Sequence, residues 1–379
     1  MSNHKFQCSS CSSSYEPSPT LLECDRCGSP LNISYVTQLG SDLHPTGWSG
    51  HPIPLPLDHQ KDLITLGEGN TPVVQLNNVK NRIGAEIYVK QEYMNPTGSF
   101  KDRGTSVMIS ALKSFGINEL VEDSSGNAGA SLSAYAAMSN MKAHIFVPES
   151  APAPKIGQIQ VYGATIHKIP GSRDATTEAA KAFVRNNNLV YASHNLSPFF
   201  IEGTKIFAHE VFREFGDHIP EDIVIPVGNG SLYLGMWKGL CELKESNQIS
   251  RIPRLHFVQT EAVKPIYSAA NNVAWDTSMI RETRSGGTAV GSPPRQDQVI
   301  DALIRSKGSC TTVTEKELID WQKFLASKEG IYAEPTSATA LAGTEKLIRS
   351  GEIGKNLSLI HISEPTRPLY ISYAVFCLK

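Results

Sequence analysis

Short apolar runs and helical patterns alternate along most of this chain. Between the runs, apolar residues recur at the three- and four-residue spacing of amphipathic helices. The predicted strands are Glu86–Lys90, Leu120–Glu122, Ala143–Val147, Thr165–Ile169, Leu189–Ala192, Asp222–Val227 and Arg254–Gln259. The predicted helices are Ala128–Met138, Lys155–Tyr162, Asp174–Asn186 and Leu232–Lys244. Strands that alternate with helices are typical of parallel α/β folds.

The segment Glu92–Gly104, EYMNPTGSFKDRG, joins a run of turn-forming residues to a further predicted helix. Ser99 and Asp102 have the spacing of a capping box, which predicts that the helix starts at Ser99. Lys101 then lies in the first turn, where the helix dipole disfavours a cation. A lysine there is shifted towards its neutral, nucleophilic amine, which Schiff-base chemistry requires. An ordinary solvated lysine fits the same spacing.

The composition indicates a globular chain with balanced charge. Hydrophobic residues make up 40% of the 379 residues, enough for two domains with cores. The formal net charge of −2 gives no electrostatic reason to expect nucleic acid or an anionic membrane as a partner. The N-terminus lacks the apolar region of a signal peptide, and no apolar run approaches the about 20 residues that span a bilayer. We therefore expect a cytoplasmic protein with reduced or metal-bound cysteines.

Four cysteines near the N-terminus form two C-x-x-C pairs, Cys8 with Cys11 and Cys24 with Cys27. This spacing suits a closed tetrahedral zinc site with no open position, so the predicted role is structural. The Ser- and Pro-rich surroundings cannot build a core unaided, so metal binding would supply much of the folding free energy. Two disulfides are the alternative, which the expected location disfavours. A nucleic-acid-binding ribbon would need basic surroundings that this segment lacks.

Two glycine-containing loops each join an apolar strand to a helix. Ser124–Ser131, SSGNAGAS, places small residues and N–H groups at a helix N-terminus, where anions bind. Asn127 follows Lys101 by 26 residues. In Pro226–Leu232, PVGNGSL, glycines allow several N–H groups to point at a phosphate. Tyr233 stands where a Rossmann fingerprint needs glycine, so dinucleotide binding is excluded. Either loop alone would also serve as a plain turn.

These motifs resemble the threonine synthase branch of fold-type II pyridoxal-phosphate enzymes. NPTGSFKDRG resembles the family's cofactor-lysine motif, and SSGN resembles its asparagine loop. The PVGNGSL loop resembles its phosphate-binding loop, although Gly230 and Ser231 depart from the usual G-N-A-G-N order. Further family-like blocks extend the resemblance over roughly Cys8 to Ser350: Leu66–Leu76, Glu202–Lys205 and Glu334–Ala338.

The resemblance implies a cofactor and a set of site residues. Lys101 is the expected catalytic residue and carries pyridoxal 5'-phosphate, with Asn127 beside the phenolic oxygen of the cofactor. The expected ligands of the cofactor phosphate are the loop residues Gly228, Asn229, Gly230, Ser231 and Leu232. The asparagine loop is expected to bind the substrate carboxylate through Ser124, Ser125 and Gly126.

The implied substrate, O-phosphohomoserine, also needs a phosphate site. Gly171–Asp174 reads GSRD where the family often carries G-N-F-D, and Ser197 replaces the asparagine of a family N-P pair. Arg173, Ser193 and Asn195 are candidates for binding the substrate phosphate, since arginine forks suit it. Each of the three also fits a solvated loop residue.

The resemblance implies a two-domain tryptophan-synthase-β-like α/β fold with parallel sheets. We expect a zinc-ribbon-like module at 1–40, a large cofactor-binding domain formed by 41–104 and 203–356, and a small α/β domain at 105–202. The cofactor would lie in the cleft between the two domains. The implied reaction converts O-phosphohomoserine and water to threonine and phosphate. A threonine or serine dehydratase of the same fold and a degenerate binding protein are the alternatives, and a homodimer is compatible with all three.

The C-terminal tail departs from the family pattern. Leu357–Arg367, LSLIHISEPTR, resembles a translated sequencing-adapter sequence. We expect residues 357–379 to be artefactual and to pair at most with an open sheet edge. In the family, this region supplies the hydroxyl group that contacts the cofactor ring nitrogen. A genuine divergent tail is the alternative.

Overall fold

The computed structural model describes residues 3–36, 53–57, 62–151, 153–354 and 358–362. The strands are β1 (His4–Cys8), β2 (Ser14–Tyr15), β3 (Leu31–Tyr35), β4 (Val73–Leu76), β5 (Ile87–Gln91), β6 (Glu119–Glu122), β7 (Lys142–Pro148), β8 (Thr165–Ile169), β9 (Val190–Tyr191), β10 (Asp222–Pro226), β11 (Arg254–Thr260), β12 (Cys310–Val313) and β13 (Ser358–Ile362). The helices are α1 (Val79–Ile83), α2 (Lys101–Ser114), α3 (Asn127–Met138), α4 (Ala153–Val161), α5 (Arg173–Asn187), α6 (Pro198–Thr204), α7 (Ile206–Phe215), α8 (Ser231–Glu245), α9 (Pro265–Ala270), α10 (Gln296–Arg305), α11 (Glu315–Phe324) and α12 (Pro335–Arg349).

The described strands form three sheets. An antiparallel sheet with the order β2-β1-β3 makes up the N-terminal module. A larger sheet has the order β12-β11-β10-β13-β5-β4 and is parallel except for β4, and a smaller parallel sheet has the order β8-β7-β6-β9. The predicted α/β fold with parallel sheets is confirmed. No helix in the described ranges is both long and apolar enough to cross a membrane.

Helix α2 begins at Lys101 rather than at Ser99. The Ser99 hydroxyl accepts a hydrogen bond from the Lys101 N–H at 3.2 Å. The Asp102 carboxylate, however, does not accept the hydrogen bond from the Ser99 N–H that a capping box requires. It accepts instead from the N–H and the hydroxyl of Thr97, at 2.7 and 2.6 Å. The predicted capping box is therefore wrong, because this buried carboxylate closes the preceding turn. Lys101 nevertheless lies in the first turn of the helix, as predicted.

Strand β13 lies inside the larger sheet, between β10 and β5, and is parallel to both. The expectation that the tail would pair at most with an open edge is therefore wrong for the backbone of Ser358–Ile362. Two parallel strands on either side of a slot present N–H and C=O groups that need partners, and an apolar run after α12 provides them. The rest of the predicted tail, residues 363–379, lies outside the described residues.

The short helix α6 packs between α2 and α8. A Cβ atom at Gly203 would lie 1.9 Å from the carbonyl oxygen of Arg103 in α2. A Cβ atom at Gly235 of α8 would lie 2.3 Å from the Thr204 hydroxyl, which donates a hydrogen bond to the Ser231 carbonyl at 3.0 Å. Glycine at these positions thus lets the three helices pack backbone to backbone, and α6 links the first turns of α2 and α8.

The N-terminal module also docks on α6. The rings of Phe6 and Phe199 meet edge to face with centroids 5.3 Å apart. The Tyr35 hydroxyl donates to the Glu202 carboxylate at 2.7 Å. Glu202 in turn accepts from the fully buried ammonium group of Lys205, also at 2.7 Å. An aromatic contact and a buried ionic network therefore hold the module against the same helix that links α2 and α8.

The contact between α2 and α6 yields a stability prediction. Gly203→Ala should lower the free energy of unfolding by about 3 kcal/mol or more, because the added methyl group meets backbone that cannot rotate away. Gly157→Ala is the matched control, since a Cβ atom in that α4 position meets nothing within 4 Å. It should be neutral or stabilising by up to about 1 kcal/mol. Urea unfolding measures both, and equal stability of the two variants would contradict the packing argument.

Candidate active site

Lys101 is held in place by a buried ionic network that starts two residues later. Its ammonium group lies 3.8 Å from the centroid of the Phe100 ring. The Arg103 guanidinium is 1% exposed and donates to the Glu92 carboxylate at 2.5 and 2.7 Å. It also donates to Glu210 at 2.7 and 2.8 Å. These charge-assisted pairs fix the first turn of α2 and thereby the origin of the Lys101 side chain.

The asparagine loop connects β6 to α3 and lies tightly against the first turn of that helix. A Cβ atom at Gly129 would lie 2.0 Å from the Ser124 carbonyl oxygen, so no larger residue fits there. The Ser124 hydroxyl accepts from the Gly126 N–H at 3.3 Å, and Ser125 is half-buried. Asn127 is the first residue of α3, also half-buried, and its amide makes no hydrogen bond to another described residue.

The phosphate loop, Gly228–Leu232, connects β10 to α8. None of its five N–H groups donates to a carbonyl or a side chain in the described part of the chain. Gly230 has φ of +85°, a left-handed conformation that favours glycine, and a Cβ atom at Gly228 would lie 2.4 Å from the Gly287 carbonyl oxygen. The buried Oδ1 atom of Asn229 also lacks a partner among these residues. Unpaired N–H groups at the start of a long helix fit a phosphate.

The three predicted substrate-phosphate residues lie around the carboxyl end of β6. Arg173 begins α5, is 48% exposed and pairs with Asp123, which directly follows β6, at 3.5 Å. Ser193 and Asn195 follow β9, the strand beside β6. Ser193 is buried, and the buried Oδ1 atom of Asn195 has no hydrogen-bond partner within the described ranges. A substrate phosphate at this position would share Arg173 with Asp123.

A buried histidine–glutamate pair was missed by the sequence analysis. His194 Nδ1 lies 3.1 Å from one oxygen of the Glu122 carboxylate, and the His194 N–H donates to the other at 3.1 Å. Burial raises the pKa of Glu122 to about 7. Burial and then the positive charge of Lys101 hold the pKa of His194 well below its ordinary value. The available sequence signal was two carboxylates, Glu122 and Asp123, at the end of an apolar strand.

The four N-terminal cysteines converge on one point. Their Sγ atoms all lie within 4.8 Å of one another, with Cys8 3.4 Å from Cys27 and Cys11 3.5 Å from Cys24. Tetrahedral zinc with bonds of about 2.3 Å places its thiolates roughly 3.8 Å apart, so the set fits this metal. The Tyr15 hydroxyl, 3.1 Å from Cys24, lowers the pKa of that thiol to about 6, which favours the thiolate.

Comparison with known proteins places the chain in a family. The sequence profile described as "Pyridoxal-phosphate dependent enzyme" matches residues 64–363. The chain is 32% identical over 369 residues to the threonine synthase of Methanocaldococcus jannaschii, covering 94% of this chain and 91% of that protein. It is 33% identical over 307 residues to the threonine synthase of Halalkalibacterium halodurans, covering 81% and 84%.

Solved structures agree on the fold. The crystal structure of a threonine deaminase from T.th. has a TM-score of 0.68 at 24% identity and covers 79% of this chain and 93% of its own. That likeness shows the shared fold alone, whereas the two curated relatives are 32% and 33% identical and cover 94% and 81% of this chain. The chain therefore belongs to the family of pyridoxal-phosphate-dependent enzymes, within its threonine synthase branch.

Proposed function

We propose that this chain converts O-phosphohomoserine and water to threonine and phosphate. The observation that carries the proposal is the array of N–H groups at the start of α8 that have no acceptor among the described residues, which α6 links to the first turn of α2 and Lys101. The curated threonine synthases that the chain resembles support the same reaction. A lysine and a phosphate cradle on adjacent helix starts are what a phosphate-bearing carbonyl cofactor requires.

The residues present fit pyridoxal phosphate. Lys101 would hold it covalently, the N–H groups of Gly228–Leu232 would bind its phosphate, and the Asn127 amide would lie beside its ring oxygen. The tight approach of Gly228 to Gly287 leaves no room for a side chain in this cradle. When bound, the cofactor supplies an electron sink for negative charge at the α carbon of an amino acid.

The remaining steps belong to the side chains of the protein. The Lys101 amine would remove the α proton of the substrate and return protons to its carbon chain. The loop at Ser124–Gly126 would orient the substrate carboxylate, while Arg173, Ser193 and Asn195 would bind the substrate phosphate. The γ carbon–oxygen bond breaks and phosphate leaves. In the overall balance, the β carbon loses one proton and takes the hydroxyl group of water, the γ carbon gains one proton, and the remaining proton goes to the phosphate.

The division into domains is part of the same proposal. The smaller sheet lies wholly within 105–202, and the larger sheet takes β4, β5 and β10–β12 from 41–104 and 203–356 and β13 from the predicted tail. We place the zinc-ribbon-like module at 1–40, and from the adapter-like sequence we infer that residues 357–379 are a tail without the family's contact to the cofactor ring nitrogen. A cytoplasmic location would keep the module's thiolates reduced. A small amino-acid substrate, without nucleic acid or membrane, is the proposed partner.

Lys101→Ala should remove the visible absorption of bound pyridoxal phosphate and nearly all turnover, because no other amine replaces the covalent link. Lys113→Ala, at the opposite end of the same helix, is the matched control and should retain both. Absorption spectra and phosphate release from O-phosphohomoserine measure the effect. Full activity of the Lys101 variant would rule out the proposed role.

Arg173→Ala should lower kcat/KM for O-phosphohomoserine about tenfold, near the lower end of a charged hydrogen bond's about 1.5–3 kcal/mol, since Arg173 is half-exposed. The absorption of the cofactor should not change. Arg185→Ala, in the last turn of the same helix, should leave kcat/KM unaltered. Release of 2-oxoacids from threonine or serine that exceeds phosphate release would favour the dehydratase alternative instead.

Cys24→Ser should remove one equivalent of zinc and lower the melting temperature, because three thiolates no longer close the tetrahedral site. Cys241→Ser, which changes a cysteine outside the cluster, is the control and should keep the metal. Metal analysis of the purified proteins decides between zinc and disulfides. Less than one metal ion in ten wild-type chains, with disulfides in its place, would contradict the zinc assignment.

The chain as written should bind pyridoxal phosphate weakly or turn over slowly, because its tail does not carry the family's contact to the ring nitrogen. Replacing residues 357–379 with the C-terminus of a threonine synthase relative should improve both. Cofactor titration and phosphate release compare the two proteins. Equal affinity and equal rates would mean that the tail is genuine or that the contact does not matter.

A further inference from the structure

A buried arginine that no sequence motif indicated joins three separate segments of the chain. Arg295, directly before α10, is 1% exposed. A guanidinium group has five N–H donors in a rigid fork, and here each has an acceptor. Those acceptors are the carbonyl oxygens of Asn195 (2.9 Å), Leu196 (2.8 Å) and Leu31 (3.0 Å) and the side-chain oxygens of Asn32 and Gln298 (both 2.9 Å).

The chemistry of this contact differs from that of Arg103. Arg103 is surrounded by two carboxylates, whereas every hydrogen-bond acceptor of Arg295 is neutral. Burial accordingly lowers the pKa of Arg295 to about 10. The charge of Glu23 raises this pKa, but by less than burial lowers it. A buried cation whose hydrogen-bond acceptors are all neutral is costly, so it persists only where its hydrogen bonds are complete. Lysine cannot replace it, because an ammonium group has three donors and no planar fork.

The segments that Arg295 joins are the N-terminal module and the substrate loop, defined here as residues 193–197. Leu31 and Asn32 belong to β3 of the module. Gln298 adds a second link to the module, since its amide donates to the Pro30 carbonyl at 2.9 Å. The substrate loop itself has short-range backbone bonds, in which the Ser193 carbonyl accepts from the two residues before α6. Arg295 thus connects this loop to a different part of the chain.

We propose that Arg295 is a positioning residue that holds the substrate loop against the N-terminal module, so that the module sets the geometry of the substrate-phosphate site. The inference rests on the proposed function in one respect, namely that the loop binds the substrate phosphate. The inference gives the N-terminal module a role in substrate binding in addition to its role in stability. The carbonyl of Asn195 accepts from Arg295, while the buried Oδ1 atom of the same residue has no partner in the part of the chain that the structure describes.

Lys238 provides a matched control for loosening of the module. Its ammonium group donates to the Ile33 carbonyl at 2.6 Å and also pairs with Glu202. It therefore links the same strand, β3, to α8 without contacting the substrate loop or Arg295. If the module merely needs to be attached, changes at Lys238 and at Arg295 should act alike. If Arg295 positions the loop, only substitutions of Arg295 or of its hydrogen-bond partners should change the substrate loop.

The experiment compares amide hydrogen exchange of the full chain with that of three variants. In Arg295→Lys and Gln298→Ala, exchange at Leu196 and Ser197 should accelerate about tenfold, as expected for a coupling free energy between sites. Gln298 contacts the module and Arg295 but no loop residue, so its effect must pass through Arg295. In Lys238→Gln, exchange in the loop should stay as in the wild type. Unchanged exchange in both Arg295→Lys and Gln298→Ala, or equal acceleration in Lys238→Gln, would overturn the proposal.

Kinetics provide a second readout. Arg295→Lys should raise KM for O-phosphohomoserine about tenfold with a smaller change in kcat and no change in cofactor absorption. Lys238→Gln should leave KM unaltered. If Arg295→Lys does not fold, Gln298→Ala carries the same test, because it keeps the guanidinium and four of its acceptors. A chain whose residues 357–379 are replaced by the C-terminus of a threonine synthase relative and that still releases no phosphate would refute the proposed reaction, while the exchange data would still decide whether Arg295 couples the module to the loop.

Discussion

The contact between Gly203 and the Arg103 carbonyl determines much of this structure. Two helices can approach so closely only where one presents no side chain, and here a Cβ atom would lie 1.9 Å from the opposing oxygen. Because α6 is fixed on α2 in this way, its other contacts follow. Thr204 holds the start of α8, and the loop that enters α6 carries Ser193 and Asn195. The relative positions of lysine, phosphate cradle and substrate loop therefore depend on one short helix.

Two buried ionic networks keep these helices in register. Arg103 is surrounded by carboxylates of Glu92 and Glu210, which come from segments before and after it in the chain. Lys205 lies between Glu202 and Glu242, each at 2.7 Å. Removing one partner from such a pair leaves an uncompensated buried charge and costs several kcal/mol, about 3–5. The networks thus oppose sliding of α2, α7 and α8, which an apolar interface would resist less.

Arg295 is also a buried arginine, but its surroundings differ from those of Arg103. Within the described ranges it makes no hydrogen bond to a carboxylate, and its directionality comes from five neutral oxygens arranged to match a planar fork. Carboxylate networks fix α2, which carries Lys101, against the neighbouring helices. The hydrogen bonds from Arg295 to neutral oxygens join the N-terminal module to the substrate loop. Two parts of the chain with separate sheets thus share one set of hydrogen bonds.

Local patterns in the sequence predicted seven of the 13 described strands and five of the 12 described helices, and the motifs that resemble a known family predicted the chemistry. The spacing of apolar residues and the positions of turn-forming residues predicted β5–β11 and helices such as α3 and α8, because both signals are local. The resemblance of their motifs to a known family made Lys101, Asn127 and the phosphate loop candidates, and the spacing of the four cysteines made them candidates for a metal site. Which distant groups meet became visible in the folded chain alone: Asp102 turns to Thr97, β13 enters the middle of the larger sheet, His194 pairs with Glu122 and Arg295 joins the module to the substrate loop. Some of these contacts link residues far apart in the chain, and others compete with an equally good local partner. The local pattern of the sequence carries no information about which partner a residue contacts.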